Sequence, residues 1–183
     1  LSPFVRPKTD VANRPFVSGV HGHGTLCLFE LGRMKTIVFS GPESSGKTQS
    51  CAQIAAAYGC PMVQEYARTY LNRTGGVYGP EDLSRIAEEQ LRLQLNAKRS
   101  SEAFLFCDTD LLTLIVWQEW VYGSFAAELH QQYVANLPDH YFLCAPDLPW
   151  APDPLRENPD EEERWKIFER HEELITEQQV PFT

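Results

Sequence analysis

The sequence predicts an α/β protein, a three-layer sandwich with a parallel central sheet and helices on both faces. Three observations carry this reading. From Met34 onward, apolar runs alternate with helical segments, a pattern that joins parallel strands through crossover helices. Ala103-Phe104-Leu105-Phe106-Cys107-Asp108 is a continuous apolar run ending in an acid, which suits a strand buried on both faces. Gly41-Pro42-Glu43-Ser44-Ser45-Gly46-Lys47-Thr48 fits G-x-x-x-x-G-K-[ST] at every fixed position. It stands between a strand-like and a helix-like segment, the context that gives this motif meaning.

Residues 1–33 carry Pro3, Pro7 and Pro15 and no sustained period. They read as an extension, flexible or non-native, ahead of a domain over 34–183. His21-Gly22-His23-Gly24 invites a metal or nucleotidyl-transfer reading, but no acidic partner lies nearby and a flexible segment is preferred. Met34–Ser40 is the first strand, followed by the P-loop and a helix over Gln49–Tyr58. Pro61–Glu65 is the second strand. It delivers Glu65-Tyr66-Ala67-Arg68 at its carboxyl end, where open α/β sheets bind ligands. Asn72–Tyr78 reads as a loop. Pro80 suits the first position of a helix whose apolar stripe is Leu83, Ala87, Leu91 and Leu95, with Ile86 beside it.

Residues 103–108 form the central strand. Leu111–Val121 is a very apolar helix, with Trp117 and Trp120 read as core packing and Gly123 as its end. A polar amphipathic helix covers about 125–135, and His140–Cys144 is the fourth strand. Ala145–Pro159, rich in Pro and Asp, is a loop. Asp160–Gln178 is a helix with an acidic first turn that complements its dipole; Ile167, Phe168, His171, Leu174 and Ile175 share one face. Val180–Thr183 looks like the start of a fifth strand, so the natural chain is expected to continue past a C-terminal truncation.

The 183 residues allow one domain with a real core. A net charge of −9 argues against general nucleic-acid binding, which needs a basic face. No apolar run approaches the ~20 residues of a membrane span. Five cysteines, Cys27, Cys51, Cys60, Cys107 and Cys144, lack C-x-x-C spacing and read as reduced thiols of a cytoplasmic protein. Oligomeric state is not legible.

The P-loop chemistry is specific. Backbone N–H groups of Gly41, Glu43, Ser44, Ser45, Gly46, Lys47, Thr48 and Gln49, together with the helix N-terminus, form an anion nest for the ATP triphosphate. Lys47 reaches the β- and γ-phosphates, and the Thr48 hydroxyl can ligate Mg²⁺. Asp108, at the tip of a buried strand beside the P-loop strand, is the natural second Mg²⁺ residue, held through water; a helix cap is its structural alternative. Asp110 suits that cap better, and stands evenly between cap and a substrate or catalytic role. Glu65 can meet an acceptor hydroxyl or take its proton; the alternative is a surface ion pair with Arg68. Arg156 stands evenly between closing over the phosphates and belonging to a solvated loop. Arg164 reads as solvated and paired with Asp160. Tyr66, Tyr70, Tyr78, Trp117, Trp120 and Trp150 are candidates for stacking on a flat ring; most of them read as core, Trp117 and Trp120 among these, and Trp150 is the most interesting.

Gly-Pro-Glu-Ser-Ser-Gly-Lys-Thr at 41–48, Glu-Tyr-Ala-Arg-Thr-Tyr-Leu at 65–71, Phe-Cys-Asp-Thr-Asp-Leu at 106–111 and Asp-Leu-Pro-Trp-Ala-Pro-Asp-Pro-Leu-Arg-Glu at 147–157 together resemble the NadR-like kinase domain. This P-loop group often carries an AAA-domain label. The resemblance runs from about Met34 to Thr183 and implies a P-loop kinase-like three-layer sandwich with ribosylnicotinamide kinase activity. ATP would phosphorylate the 5′-hydroxyl of nicotinamide riboside, giving nicotinamide mononucleotide in NAD salvage. By the same resemblance, Lys47 and Thr48 serve ATP and Mg²⁺, Asp108 serves Mg²⁺, Glu65 and Arg68 line the riboside side, and Arg156 belongs to a lid. Longer family members add a nucleotidyltransferase domain that residues 1–33 are too short to supply. The family domain also continues beyond the final strand.

Two other readings stand beside this one. A P-loop ATPase switch or regulatory module would hydrolyse ATP on behalf of a partner; Asp-Thr-Asp at 108–110 and the short lid depart from an AAA+ motor. A kinase for another nucleoside, or for a nucleoside monophosphate, would want a basic acceptor pocket, for which Arg68 and Arg73 are candidates.

Overall fold

The computed structural model describes residues 34–183; the readings made for residues 1–33, His21-Gly22-His23-Gly24 and Cys27 among them, lie outside the described residues. The strands are β1 Lys35–Ser40, β2 Met62–Val63, β3 Phe104–Asp108 and β4 His140–Leu143. They form one parallel sheet in the order β2-β3-β1-β4. Six helices are described: α1 Lys47–Tyr58, α2 Tyr66–Thr74, α3 Pro80–Ser100, α4 Leu111–Tyr122, α5 Ala127–Ala135 and α6 Glu161–Glu177. Because the strands are parallel, their carboxyl ends lie on one edge, and Gly41, Glu65, Asp108 and Cys144 are brought to that edge together.

Strand alternation builds the layers. Phe39 and Phe106 face α1, where they pack with Cys51 and Ala55. Val38, Leu105, Cys107 and Tyr141 face the opposite way into a larger core with α3, α4 and α6, represented by Leu83, Ile115 and Leu174. Each such fully buried side chain contributes about 1.5–3 kcal/mol relative to exposure, so this second core carries most of the apolar stabilisation. Register sets Val38 against both Cys107 and Tyr141, and Phe39 against Asp108. Asp108 therefore ends its strand beside the strand that feeds the P-loop. The chain end lies along β4: Tyr141 donates to the Pro181 carbonyl at 2.9 Å and Leu143 to that of Thr183 at 2.9 Å, the position expected for a fifth strand. Among the described residues, Cys51, Cys60, Cys107 and Cys144 are free thiols, and no helix is long and apolar enough to cross a membrane.

Several expectations need correction. Helix α1 begins at Lys47 rather than Gln49, and residues 66–74 form a helix, so the loop expected over 72–78 starts later. Leu95 is not part of the buried stripe of α3; it is 39% exposed. Gln90 and Gln94 take the buried face instead, because each satisfies a backbone group of a neighbouring segment. Gln90 Oε1 accepts the Tyr66 N–H at 2.8 Å, and Gln94 Nε2 donates to the Thr109 carbonyl at 3.1 Å. Asp110 is buried and caps α4: one carboxylate oxygen accepts the Leu112 N–H at 3.1 Å, the other the Tyr141 hydroxyl at 2.5 Å.

Two buried groups titrate in opposite senses. Burial pushes Asp110 up to about 6 from its ordinary 3.8, against the Tyr141 hydrogen bond. Burial pushes His171 down to about 4 from 6.5. Between about pH 4 and 6 the folded chain holds a proton on Asp110 that the unfolded chain has lost, so this group's contribution to stability falls as pH rises. Between about pH 4 and 6.5 the unfolded chain holds a proton on His171 that the folded chain lacks, so that contribution rises. Unfolding free energies measured across pH 4–7 are expected to show both signs by subtraction. Wild type minus Asp110→Asn should fall through the window, and wild type minus His171→Gln should rise.

Candidate active site

The phosphate-binding loop follows from backbone geometry. Gly41 has φ +128°, and a Cβ there would lie 2.4 Å from the Cys144 carbonyl oxygen; only glycine lets the loop pass that close to the end of β4. Gly46, at φ +78°, precedes α1 and offers no side-chain cap. The first-turn N–H groups of α1 therefore remain free to meet an anion. Ser45 Oγ donates to the Pro42 carbonyl at 2.7 Å, and Lys47 Nζ donates to the same oxygen at 2.6 Å. Lys47 thus lies folded across its own loop. Burial lowers its pKa, while Glu65 and then Asp108 pull the other way.

Two carboxylates converge on this lysine. Asp108 is buried beside the Thr48 hydroxyl rather than on the cavity surface. Burial raises its pKa, opposed by Thr48 and Lys47. Its Oδ1 has no hydrogen-bond partner. An unpartnered buried carboxylate oxygen next to a hydroxyl fits the oxygen chemistry that a hard cation requires. Among the described residues no group of three or more His, Cys, Asp or Glu forms a metal cluster. Glu65 is half-buried on the cavity wall; burial raises its pKa and Lys47 partly restores it. Arg68 pairs with Asp153 at 2.9 Å, not with Glu65.

The segment between β4 and α6 is draped over the P-loop. The Glu43 carboxylate accepts the backbone N–H groups of Glu157 at 3.0 Å and Asn158 at 2.9 Å. Ser44 Oγ accepts from the Ala151 N–H at 3.0 Å and donates to the Pro149 carbonyl at 3.3 Å. Arg156 donates to the Ala151 carbonyl. Arg164 overturns its reading as solvated: it is buried and directs Nη1 to the Pro146 and Leu148 carbonyls at 3.4 and 3.5 Å. Both guanidiniums lie over Trp150, at 5.9 Å for Arg156 and 5.7 Å for Arg164.

Above the P-loop is a cavity of about 290 Å³, near the lower end of small-molecule sites. The loop residues Gly41 to Gln49, Glu65, Arg68 and Arg156 line it. Tyr66, Asp110 and Trp150, expected on the substrate side, do not. The Tyr66 N–H is held by Gln90, Asp110 is the α4 cap, and Trp150 is engaged by two arginines. Sequence reasoning weighed Trp117 and Trp120 as packing and missed the other residues of the α4 wall. Thr113, Val116, Trp117 and Trp120 line the cavity from α4, so the two tryptophans are not simply core. Their spacing is one helical stripe, but α4 is apolar all round and its periodicity cannot say which face meets a ligand. Glu157, Asn158 and His171 complete the wall. The Tyr78 hydroxyl donates to Glu157 at 2.7 Å and accepts from Trp117 Nε1 at 3.1 Å.

Fold and loop together define a P-loop nucleotide-binding protein with the architecture of the P-loop kinases. The AAA domain family matches residues 36–183, and the chain belongs to that family. Among solved structures, it is similar to a NadR protein in complex with NAD and AMP-PNP, at TM-score 0.62 and 18% identity over 81% of this chain and 43% of that one. A NadR protein in complex with NR gives TM-score 0.58 at 18% identity, over 81% of this chain and 45% of that one. Thymidylate kinase from Ehrlichia chaffeensis gives TM-score 0.57 at 15% identity, over 83% and 86%. The chain spans less than half the length of the two NadR chains. No curated protein sequence matches it.

Glu43 is expected to hold the draped segment. In Glu43→Ala the amides of Glu157 and Asn158 lose their acceptor, and their hydrogen exchange should accelerate about tenfold or more, the scale of a charge-assisted bond. Exchange in α3, measured in the same experiment, should stay unchanged.

Proposed function

We propose that the chain is an ATP-dependent small-molecule kinase acting on the 5′-hydroxyl of nicotinamide riboside. The observation that carries this reading is the composition of the cavity wall outside the P-loop. Trp117 and Trp120 stand there with Glu157, whose carboxylate is fixed by Tyr78. Aromatic faces beside a carboxylate suit a flat cationic ring. A phosphorylated acceptor would need free basic groups instead. Arg68 is engaged by Asp153, and Arg73 does not line the cavity. This favours a nucleoside over a nucleoside monophosphate. The NadR protein described in complex with NR and the four sequence blocks resembling the NadR-like kinase domain support the same choice.

In this reading the free N–H groups of α1 and Lys47 hold the β- and γ-phosphates of ATP. Thr48 and Asp108 would hold Mg²⁺, which neutralises charge on the phosphate oxygens when bound. Glu65 accepts a hydrogen bond from the 5′-hydroxyl and takes its proton as the new O–P bond forms. The bond to the bridging oxygen breaks, and ADP carries away the electron pair. Arg156 and the draped segment keep water from competing for the phosphoryl group.

Mass spectrometry of ATP reactions with a panel of nucleosides and nucleoside monophosphates tests this. Nicotinamide riboside should be converted selectively, and Lys47→Ala should lower the rate at least 100-fold, on the scale of losing a preorganised phosphate contact. Glu157→Gln should raise KM about tenfold for the cationic nucleoside and little for neutral ones. ATP hydrolysis with no acceptor phosphorylated would instead favour an ATPase switch.

A further inference from the structure

Helix α2 has Glu65 as its N-cap, and Arg68 follows three residues later. Positions three apart at a helix start are neighbours, with Cβ atoms about 5–6 Å from each other. Both residues line the cavity. Among the described residues, the lysine and arginine side chains on its wall are Lys47, Arg68 and Arg156. Lys47 is turned to the Pro42 carbonyl and Arg156 to the Ala151 carbonyl. Arg68 is therefore the cation that stands beside Glu65. Its side chain is 46% exposed, so a ligand can reach it.

Arg68 is already engaged. Its Nη1 donates to Asp153 Oδ2 at 2.9 Å. Asp153 belongs to the segment draped over the P-loop and does not itself line the cavity. Its other oxygen, Oδ1, accepts the Leu155 N–H at 2.9 Å. The carboxylate is thus fixed by its own turn and presents Oδ2 to the arginine in one orientation.

Two roles compete for this pair. One is to fasten the segment. An ion pair at the surface contributes little to stability, and Glu43 already anchors the segment through two backbone N–H groups. The other role is electrostatic. A carboxylate 2.9 Å away offsets the charge of Arg68 and occupies part of its guanidinium fork. That fork is the group that recognises a phosphate with two parallel hydrogen bonds. Held by Asp153, it meets a phosphate only by giving up its partner.

The next step rests on the kinase reading above, in which Glu65 meets the 5′-hydroxyl of the acceptor. A 5′-phosphate on the same sugar would stand beside Glu65, where Arg68 is the neighbouring cation. We infer that Asp153 is a positioning residue that sets the acceptor class. By holding the Arg68 guanidinium it withholds a phosphate contact, so the cavity takes a nucleoside and lets go of the monophosphate made from it. Discrimination comes from a withheld attraction as well as from the carboxylate of Glu65.

The test measures dissociation constants for nicotinamide riboside and nicotinamide mononucleotide. Saturating ADP holds the P-loop, so that the monophosphate reports on the acceptor side alone. In Asp153→Asn the side-chain oxygen still accepts the Leu155 N–H, and the ion pair is lost. The ratio of mononucleotide affinity to riboside affinity should rise about tenfold, the scale of one charge-assisted contact. Asp153→Ser, a second way to remove the charge, should move the ratio in the same direction. When Arg68→Gln is added to Asp153→Asn the gain should vanish, because the freed guanidinium supplies it. An unchanged ratio in both Asp153 variants overturns the inference, since a segment that is merely loosened weakens both ligands together. A gain that survives the loss of Arg68 overturns it as well, since Asp153 would then repel phosphate directly. If wild type phosphorylates no nucleoside, the kinase reading fails by itself. The same ratio taken with thymidine and thymidine monophosphate then decides Asp153, and the absence of all binding overturns both.

Discussion

The site depends on one close approach, that of Gly41 to the carbonyl oxygen of Cys144. No side chain fits there, so the chain leaving β1 is pressed against the end of β4. Cys144 reinforces the contact by donating its N–H to the Ser40 carbonyl at 2.8 Å. Two consequences follow from this junction. The loop is forced through left-handed backbone at Ser44 and Gly46, which leaves the first N–H groups of α1 without internal partners. The segment that begins after Cys144 is launched directly above those groups. Anion nest and cover are thus set by the same few atoms.

Magnitudes indicate what keeps the cover in place. The Arg68–Asp153 pair is partly exposed, and ion pairs at the surface contribute about 0–1 kcal/mol. Glu43 accepts two backbone N–H groups of the segment, and hydrogen bonds to a charged group contribute about 1.5–3 kcal/mol each. Glu43 is therefore the stronger anchor, although it places a negative charge in a loop built for anions. Its hydrogen bonds to Glu157 and Asn158 disperse that charge, so the loop can carry an acid without losing its attraction for phosphate. Arg164 works from below: its buried guanidinium holds the carbonyls of Pro146 and Leu148 and lies over Trp150.

The P-loop, the parallel strands and the long helices were legible because glycine spacing and apolar periodicity are written locally. What was not legible depends on partners distant in sequence. Gln90 and Gln94 displaced Leu95 from the buried face because backbone groups at Tyr66 and Thr109 needed them. Arg164 looked solvated because Asp160 lies one turn before it, but the Asp160 carboxylate caps α6 through the Glu163 N–H and the arginine turns inward. Trp117 and Trp120 read as core because every face of α4 is apolar. Helix α2 was missed because its nine residues are mostly polar and only Ala67 and Leu71 mark its buried side. Asp110 was balanced between two roles until Tyr141, 31 residues away, tied it to the cap.

Glu65 and Asp108 show how two carboxyls raised by desolvation can serve two ends. Both carboxyls are raised by desolvation and both feel Lys47. Asp108 turns toward the Thr48 hydroxyl with one oxygen unpartnered, a disposition for holding positive charge in a fixed place. Glu65 faces the cavity, and Lys47 is the charge that most favours its ionised form. That lysine donates to the Pro42 carbonyl. In the kinase reading, a triphosphate draws the ammonium to itself and brings negative charge close to Glu65. Both effects raise the basicity of the carboxylate. Glu65 would then become a better proton acceptor only once the phosphoryl donor is in place, so that the general base is strengthened by the substrate whose transfer it assists.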